Sequence, residues 1–196
     1  MIKYFEQTIN IISDSLSNLD SVSFFKLVDE VEDTLNSGKK VIVSGLGKNV
    51  PICDKFVGTM LSMGLNANFL HTNTAVHGDM GMVKTGDLVI ILTKSGATEE
   101  SVYLAKLLME RKGVNLWLLT FTEASKIEKM IGSDKCLKIK MKHEGDPWNI
   151  VPNNSTTLNL IVLQAIAMEM ANRMQLSLED DFKPNHPGGA IGDKLR

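Results

Sequence analysis

Cysteine is scarce in this chain of 196 residues, with only Cys53 and Cys136. Two cysteines inside apolar stretches cannot form a disulfide framework, which excludes a stapled secreted scaffold and points to a reducing compartment. An excess of charge of one sign is also missing: 21 Lys and Arg stand against 23 Asp and Glu, a formal net charge of −2. A nucleic-acid binder needs a basic face to neutralise phosphates, so a nucleic-acid partner is not expected. No apolar run approaches the roughly 20 residues that span a bilayer, and Met1–Gln7 has no apolar core of signal-peptide length. No membrane association is expected, and the expected location is the cytoplasm. The five prolines are scattered, without repeats or low-complexity segments to mark a linker. The four histidines stand singly, with no H-x-x-x-H or C-x-x-C spacing, so no metal is expected.

What is present is an ordinary globular composition, 43% apolar and 22% charged, enough for a sizeable core. Residues 1–38 read as two amphipathic helices packed on the domain that follows. Phe5, Ile9, Ile12 and Leu16 share one face of the first; Phe24, Leu27, Val28, Val31 and Leu35 line the second, and Gly38 stops it. Residues 39–196 read as one α/β domain. Short apolar runs at 41–43, 67–70, 88–92, 116–119 and 136–139 alternate with helical stretches, and a last long helix covers 155–174. Leu88–Leu92 is apolar without alternation, as strands covered on both faces are. The pattern predicts a doubly wound, five-stranded parallel sheet flanked by helices, with ligands bound beyond the carboxyl ends of the strands. The nearly all-apolar stretch Leu158–Met174 must be covered all round and suits a subunit interface.

Three loops after strands have the composition of anion sites, where a tight turn and a helix start converge N–H groups on one spot. Thr93-Lys94-Ser95-Gly96-Ala97-Thr98 combines hydroxyls, a cation and a flexible glycine. Asn153-Asn154-Ser155-Thr156-Thr157 opens the last helix, and Gly45-Leu46-Gly47-Lys48 brings a lysine for phosphate or a developing oxyanion. Each also reads as ordinary helix capping; three at one sheet edge favour a site. The glycine turn is not a dinucleotide fingerprint, because position 50 is Val and His71 stands where an acidic residue should follow the second strand. It is not a nucleotide P-loop either, since positions 42 and 49 are Ile and Asn.

Proton-transfer candidates fall in the same loops: Glu99 and Glu100 after the hydroxyl loop, Glu144 after the last strand, and His77 and His186 in glycine-containing turns. A phosphate site beside carboxylates and imidazoles suggests acid–base work on a small phosphorylated molecule. Against this, Glu99 reads as a first-turn carboxylate favourable to the helix dipole, Glu144 as a solvated loop residue, and His143 as surface.

The segments 43–48, Ala75-Val76-His77-Gly78-Asp79-Met80-Gly81-Met82, 93–100 and His186-Pro187-Gly188-Gly189-Ala190-Ile191-Gly192 occur in the order seen in arabinose-5-phosphate isomerases of the sugar isomerase (SIS) superfamily. The chain resembles that family from about residue 40 onward. The resemblance implies interconversion of D-arabinose 5-phosphate and D-ribulose 5-phosphate, without cofactor, feeding synthesis of the acid sugar Kdo for lipopolysaccharide or capsule. It carries the active-site set onto Lys48, Glu100, Glu144 and His186, with His77 nearby, and the phosphate contacts onto Ser44, Ser95, Thr98, Ser155 and Thr156. It further implies a homotetramer whose active sites borrow a histidine from a neighbouring subunit. The chemistry needs a base, Glu144 or Glu100, and an acid or oxyanion partner, His186 or Lys48; Glu144 is preferred for the carbon-bound proton.

Three departures from the family pattern stand out. Asn49 replaces Ser, Lys94 replaces Asn, and Ala97-Thr98-Glu99 replaces a run closer to Glu-Ser-Ser. The chain also ends at Arg196, where longer members continue into a pair of cystathionine-β-synthase-type modules, so a short or trimmed member is expected. The competing readings are another phosphosugar isomerase on the same fold, or a phosphosugar-sensing module without catalysis.

Overall fold

Each strand alternates its side chains between two faces, and that alternation builds the domain. In the computed structural model, which describes residues 2–195, β1 (Val41–Gly45), β2 (Ala67–His71), β3 (Leu88–Leu92), β4 (Asn115–Thr120) and β5 (Cys136–Lys138) form one parallel sheet in the order β2-β1-β3-β4-β5. Val41, Val43, Leu88, Ile90, Leu92, Trp117 and Leu119 point to one face. Ile42, Val89, Ile91, Leu116 and Leu118 point to the other. Both faces are covered, which is why β3 reads as an unbroken apolar run. Burying one such side chain contributes about 1.5–3 kcal/mol.

The first face is covered by α2 (Ser21–Asn36), α3 (Val50–Ser62) and α6 (Asn154–Arg173), and the second by α4 (Glu99–Met109) and α5 (Lys126–Ile131). The β2–β3 connection has only two tight single turns, Ala75–His77 and Asp79–Met82. Its Ala75, Met80 and Val83 close the second core. The predicted doubly wound sheet is therefore the observed one. The chain winds from β1 outward to β2, then returns past β1 to β3, so the connections leave in opposite directions between β1 and β3.

One expectation about packing needs correction. On α1 (Lys3–Ser17), Ile12 and Leu16 pack on the core, but Phe5 and Ile9 remain exposed together with Tyr4. α6 packs against this helix, but the full apolar face is not used within one chain. The apolar α6 packs on α1, α2 and α3 of its own chain, with Met168 among the residues left exposed.

Beyond α6 the chain turns through Leu178–Phe182 and Lys183–Asn185 into α7 (Gly189–Leu195). Asp181 and Asn185 approach Gly64, which follows α3 and precedes β2, so this segment lies at the amino edge of the sheet. Among the described residues, no helix is long and apolar enough to cross a membrane.

Candidate active site

The two loops that leave β1 and β3 enclose a cleft of about 630 Å³ at the point where the connections diverge. Gly47, Lys48, Thr93, Lys94, Ser95, Thr98 and Ser101 contribute to its lining. Five of these, Gly47, Lys48, Thr93, Ser95 and Thr98, are residues expected at the site from the sequence. Gly45 and Gly96 serve the loops sterically. A Cβ at Gly45 would lie 2.8 Å from that of Asn49, and Gly96 has φ +59° with Ser125 Oγ standing where a Cβ would be. The tight turns that present the hydroxyls thus depend on glycine.

The start of α4 is open in the way a ligand site requires. Among the described residues Thr98, its N-cap, makes no side-chain capping bond, and Ser95 Oγ accepts the nearby N–H of Ala97 at 3.2 Å. Ser101 Oγ is buried with no hydrogen-bond partner among the described residues. Uncapped N–H groups, hydroxyls and the Lys48 and Lys94 ammonium groups can together hold a phosphate dianion.

The start of α6 differs, because an anion of the chain already fills it. Glu144 is fully buried, not solvated. Its Oε2 accepts the N–H groups of Asn153 (3.1 Å) and Ser155 (2.9 Å). Its Oε1 accepts the Ser155 hydroxyl (2.7 Å) and pairs with Lys94 Nζ at 2.6 Å. Burial pushes this carboxyl up, but Lys94, the Ser155 N–H and hydroxyl and the Asn153 N–H outweigh it and hold Glu144 below the ordinary carboxylate range. Thr156 donates its hydroxyl to the Asn153 carbonyl at 2.9 Å. In this arrangement Ser155 serves Glu144, and Thr156 bonds back to the carbonyls just before its own helix.

A second cleft of about 340 Å³ is lined by Thr72, Asn73, Val76, His77, Glu100 and Tyr103. The first turns of α4 serve both clefts, with Thr98 and Ser101 facing one and Glu100 and Tyr103 the other. Ser44 is buried beneath, its hydroxyl 3.1 Å from that of Thr72, and lines neither cleft. His186 is held elsewhere. It stacks on Phe182 with ring centroids 3.9 Å apart and places Nδ1 2.8 Å from the Phe182 carbonyl, on the segment beside Gly64. This segment lies at the amino edge of the sheet and the clefts at the carboxyl edge, with the length of a strand, about 15 Å for five residues, between the two edges.

Both cysteines are buried, and desolvation pushes each thiol up to about 12, so neither is a nucleophile. Among the described residues no group of three or more His, Cys, Asp or Glu is placed to hold a metal ion. The sequence reading missed Thr72, Asn73, Tyr103 and Ser101 as lining residues. The polar run 71–74 directly after β2 is the signal that could have found the first two, since it obeys the same rule about strand ends. The Lys94–Glu144 pair, 50 positions apart, has no such signal.

The SIS domain profile matches residues 34–170. The arabinose 5-phosphate isomerase KdsD of Pseudomonas aeruginosa is 33% identical over 190 residues, covering 97% of this chain and 57% of that protein. The chain spans between half and two thirds of the length of the curated relatives it matches. Among solved structures, a Bacteroides fragilis candidate phosphosugar isomerase involved in capsule formation is similar with a TM-score of 0.86 and 26% identity, covering 96% of this chain and 98% of that one. A protein of Escherichia coli CFT073, solved in complex with arabinose 5-phosphate, has a TM-score of 0.84 and 28% identity, with 94% of each chain covered.

Proposed function

The chain belongs to the SIS domain family, and on that premise we propose that it is a phosphosugar isomerase that interconverts D-arabinose 5-phosphate and D-ribulose 5-phosphate. The observation that carries the reading is the cleft between β1 and β3, lined by an uncapped helix start, hydroxyls and two lysines, one of which, Lys94, pairs with the buried Glu144 behind it. The similarity to arabinose 5-phosphate isomerases and to the Escherichia coli sugar-phosphate complex supports the same reading.

In this reading the phosphate rests on Ser95, Thr98 and the start of α4. With the sugar ring open, Glu144 takes the proton from carbon 2 of the aldose. The electrons of that C–H bond form the carbon–carbon double bond of an enediolate, and the former carbonyl oxygen takes the charge beside Lys48. That oxygen is protonated, the hydroxyl on carbon 2 gives up its proton, and Glu144 returns its own to carbon 1. Glu100 and His77, in the neighbouring cleft, serve ring opening. A positioned base contributes about 10²–10⁴-fold, so the phosphate grip and Lys48 must lower the remaining barrier.

His186 reaches this chemistry only from a second copy, because its own chain holds it at the other edge of the sheet. We therefore propose a homo-oligomer, a tetramer by the family resemblance, whose sites are shared. The test is purified protein with D-arabinose 5-phosphate, followed by NMR for ribulose 5-phosphate, with ribose 5-phosphate and fructose 6-phosphate alongside. Conversion of the arabinose phosphate alone is expected. Thermal stabilisation by sugar phosphates without turnover of any would overturn the isomerase in favour of a sensor. For the shared site, inactive His186→Ala and Glu144→Gln proteins, unfolded and refolded together, should regain activity that neither shows alone.

A further inference from the structure

A carboxylate has room for about four hydrogen bonds, and Glu144 receives four: two backbone N–H groups, one hydroxyl and one ammonium. With every lone-pair direction occupied and water excluded, it has no acceptor site left for a proton from carbon. To act as a base it must lose one donor. Three of the four come from the N-cap Asn153 and the first turn of α6, where Ser155 is buried. The fourth, the Lys94 ammonium, differs. Its side chain is 44% exposed, and Lys94 also lines the cleft beside Ser95 and Thr98.

The backbone at Lys94 is meanwhile fixed. Its carbonyl accepts the hydroxyls of Thr120 (3.1 Å) and Thr122 (3.0 Å) and the N–H of Phe121 (3.1 Å). The root is pinned to the end of β4, while a flexible four-carbon stem carries the charge. No other charged side chain bonds to the Glu144 carboxylate among the described residues. Its neighbour His143 accepts the N–H of Gly145, and Asp146 accepts those of Trp148, Ile150 and Val151.

We propose that Lys94 is a substrate-operated latch on Glu144: a phosphate group seated on the Ser95–Thr98 loop draws the ammonium away and so frees the carboxylate as a base. The proposal rests on the reading of that loop as the phosphate site. The physical reason is competition for one cation. A phosphate dianion presents more charge and more acceptors than a carboxylate already supplied by three other donors. Glu144 therefore stays quiet until a phosphorylated molecule is in place, and a sugar lacking the phosphate leaves the latch closed. Lys94 is a positioning residue in this scheme, since it acts on the reaction through Glu144.

The test follows the Glu144 side-chain carboxyl by ¹³C NMR in protein labelled at glutamate, titrated with acid with and without saturating inorganic phosphate. In the unaltered protein phosphate should move the Glu144 titration upward. In Lys94→Met the titration should start higher, and phosphate should leave it where it is. Lys94→Asn is the second variant should the first fold poorly. In kinetics both variants should raise KM for the sugar phosphate about tenfold or more, with kcat falling by less than that. A Glu144 titration indifferent to phosphate in the unaltered protein overturns the latch, as does an equal response in the variants. Because the NMR arm uses inorganic phosphate and needs no turnover, a protein that fails to convert arabinose 5-phosphate would sink the isomerase reading while still reporting on the latch.

Discussion

Two buried carboxylates, one at each edge of the sheet, are bound in nearly the same way. At the amino edge Asp87 accepts the N–H of Lys84 at 2.7 Å and that of Lys40 at 3.3 Å, and pairs with Lys40 Nζ at 2.8 Å. At the carboxyl edge Glu144 accepts two backbone N–H groups and a hydroxyl and pairs with Lys94. The difference lies in the cation. The Lys40 side chain is 18% exposed and joins the beginnings of β1 and β3, whereas that of Lys94 is 44% exposed and fronts the larger cleft. Similar hydrogen bonding thus holds one carboxylate with a largely covered cation and the other with a cation open to a cleft, and only the second pair is placed where a ligand could compete.

Replacing each carboxylate is the most direct way to break this comparison. Glu144→Gln, which keeps one acceptor for the start of α6, should lower kcat by about 10²–10⁴-fold with KM little changed. Steady-state kinetics checks this, and an unchanged kcat would make Glu144 a second staple. Asp87→Ala should instead destabilise the fold by about 2–4 kcal/mol, because it leaves a lysine and two backbone donors without their acceptor. Denaturant unfolding should show the loss, and kcat of the folded protein should be preserved.

Smaller effects sharpen the contrast. Ser95→Ala removes one donor from the open helix start, so KM should rise about five- to tenfold with kcat within about twofold. A fall in kcat alone would remove Ser95 from the phosphate grip. The smallest effect concerns acid stability. Glu144 is held below the ordinary carboxylate range, so the folded state binds fewer protons there than the unfolded state. Its contribution is complete above the unfolded value and is lost as pH falls through the lowered folded one. Unfolding free energies measured across that acid window should therefore fall less steeply in Glu144→Gln than in the unaltered protein.

Much of this was legible in the residues, and the reasons are physical. Unbroken apolar character at Leu88–Leu92 requires cover on both faces, which only a parallel sheet between helices supplies. The hydroxyl loop 93–98 follows that strand, so its place at the carboxyl edge is fixed by chain direction alone. Glu144 illustrates the limit. Its surroundings of Gly, Asp and Pro read as a solvated loop, yet it is fully buried, because the donors that allow its burial come from positions 94, 153 and 155. Phe5 and Ile9 show the converse. Their spacing marks an apolar face, but spacing does not say whether the same chain supplies the cover.

The sequence by itself determined the order of strands and helices along the chain and the edge of the sheet at which the hydroxyl and glycine loops gather. These follow from periodicity and from the direction of each strand, both local properties of the chain. The tertiary structure alone decided that Lys94 closes on Glu144, that Glu100 and His77 share a cleft, and that His186 lies across the sheet from both. Each of these depends on which distant segments come to lie side by side, and a buried charge takes its role from those neighbours.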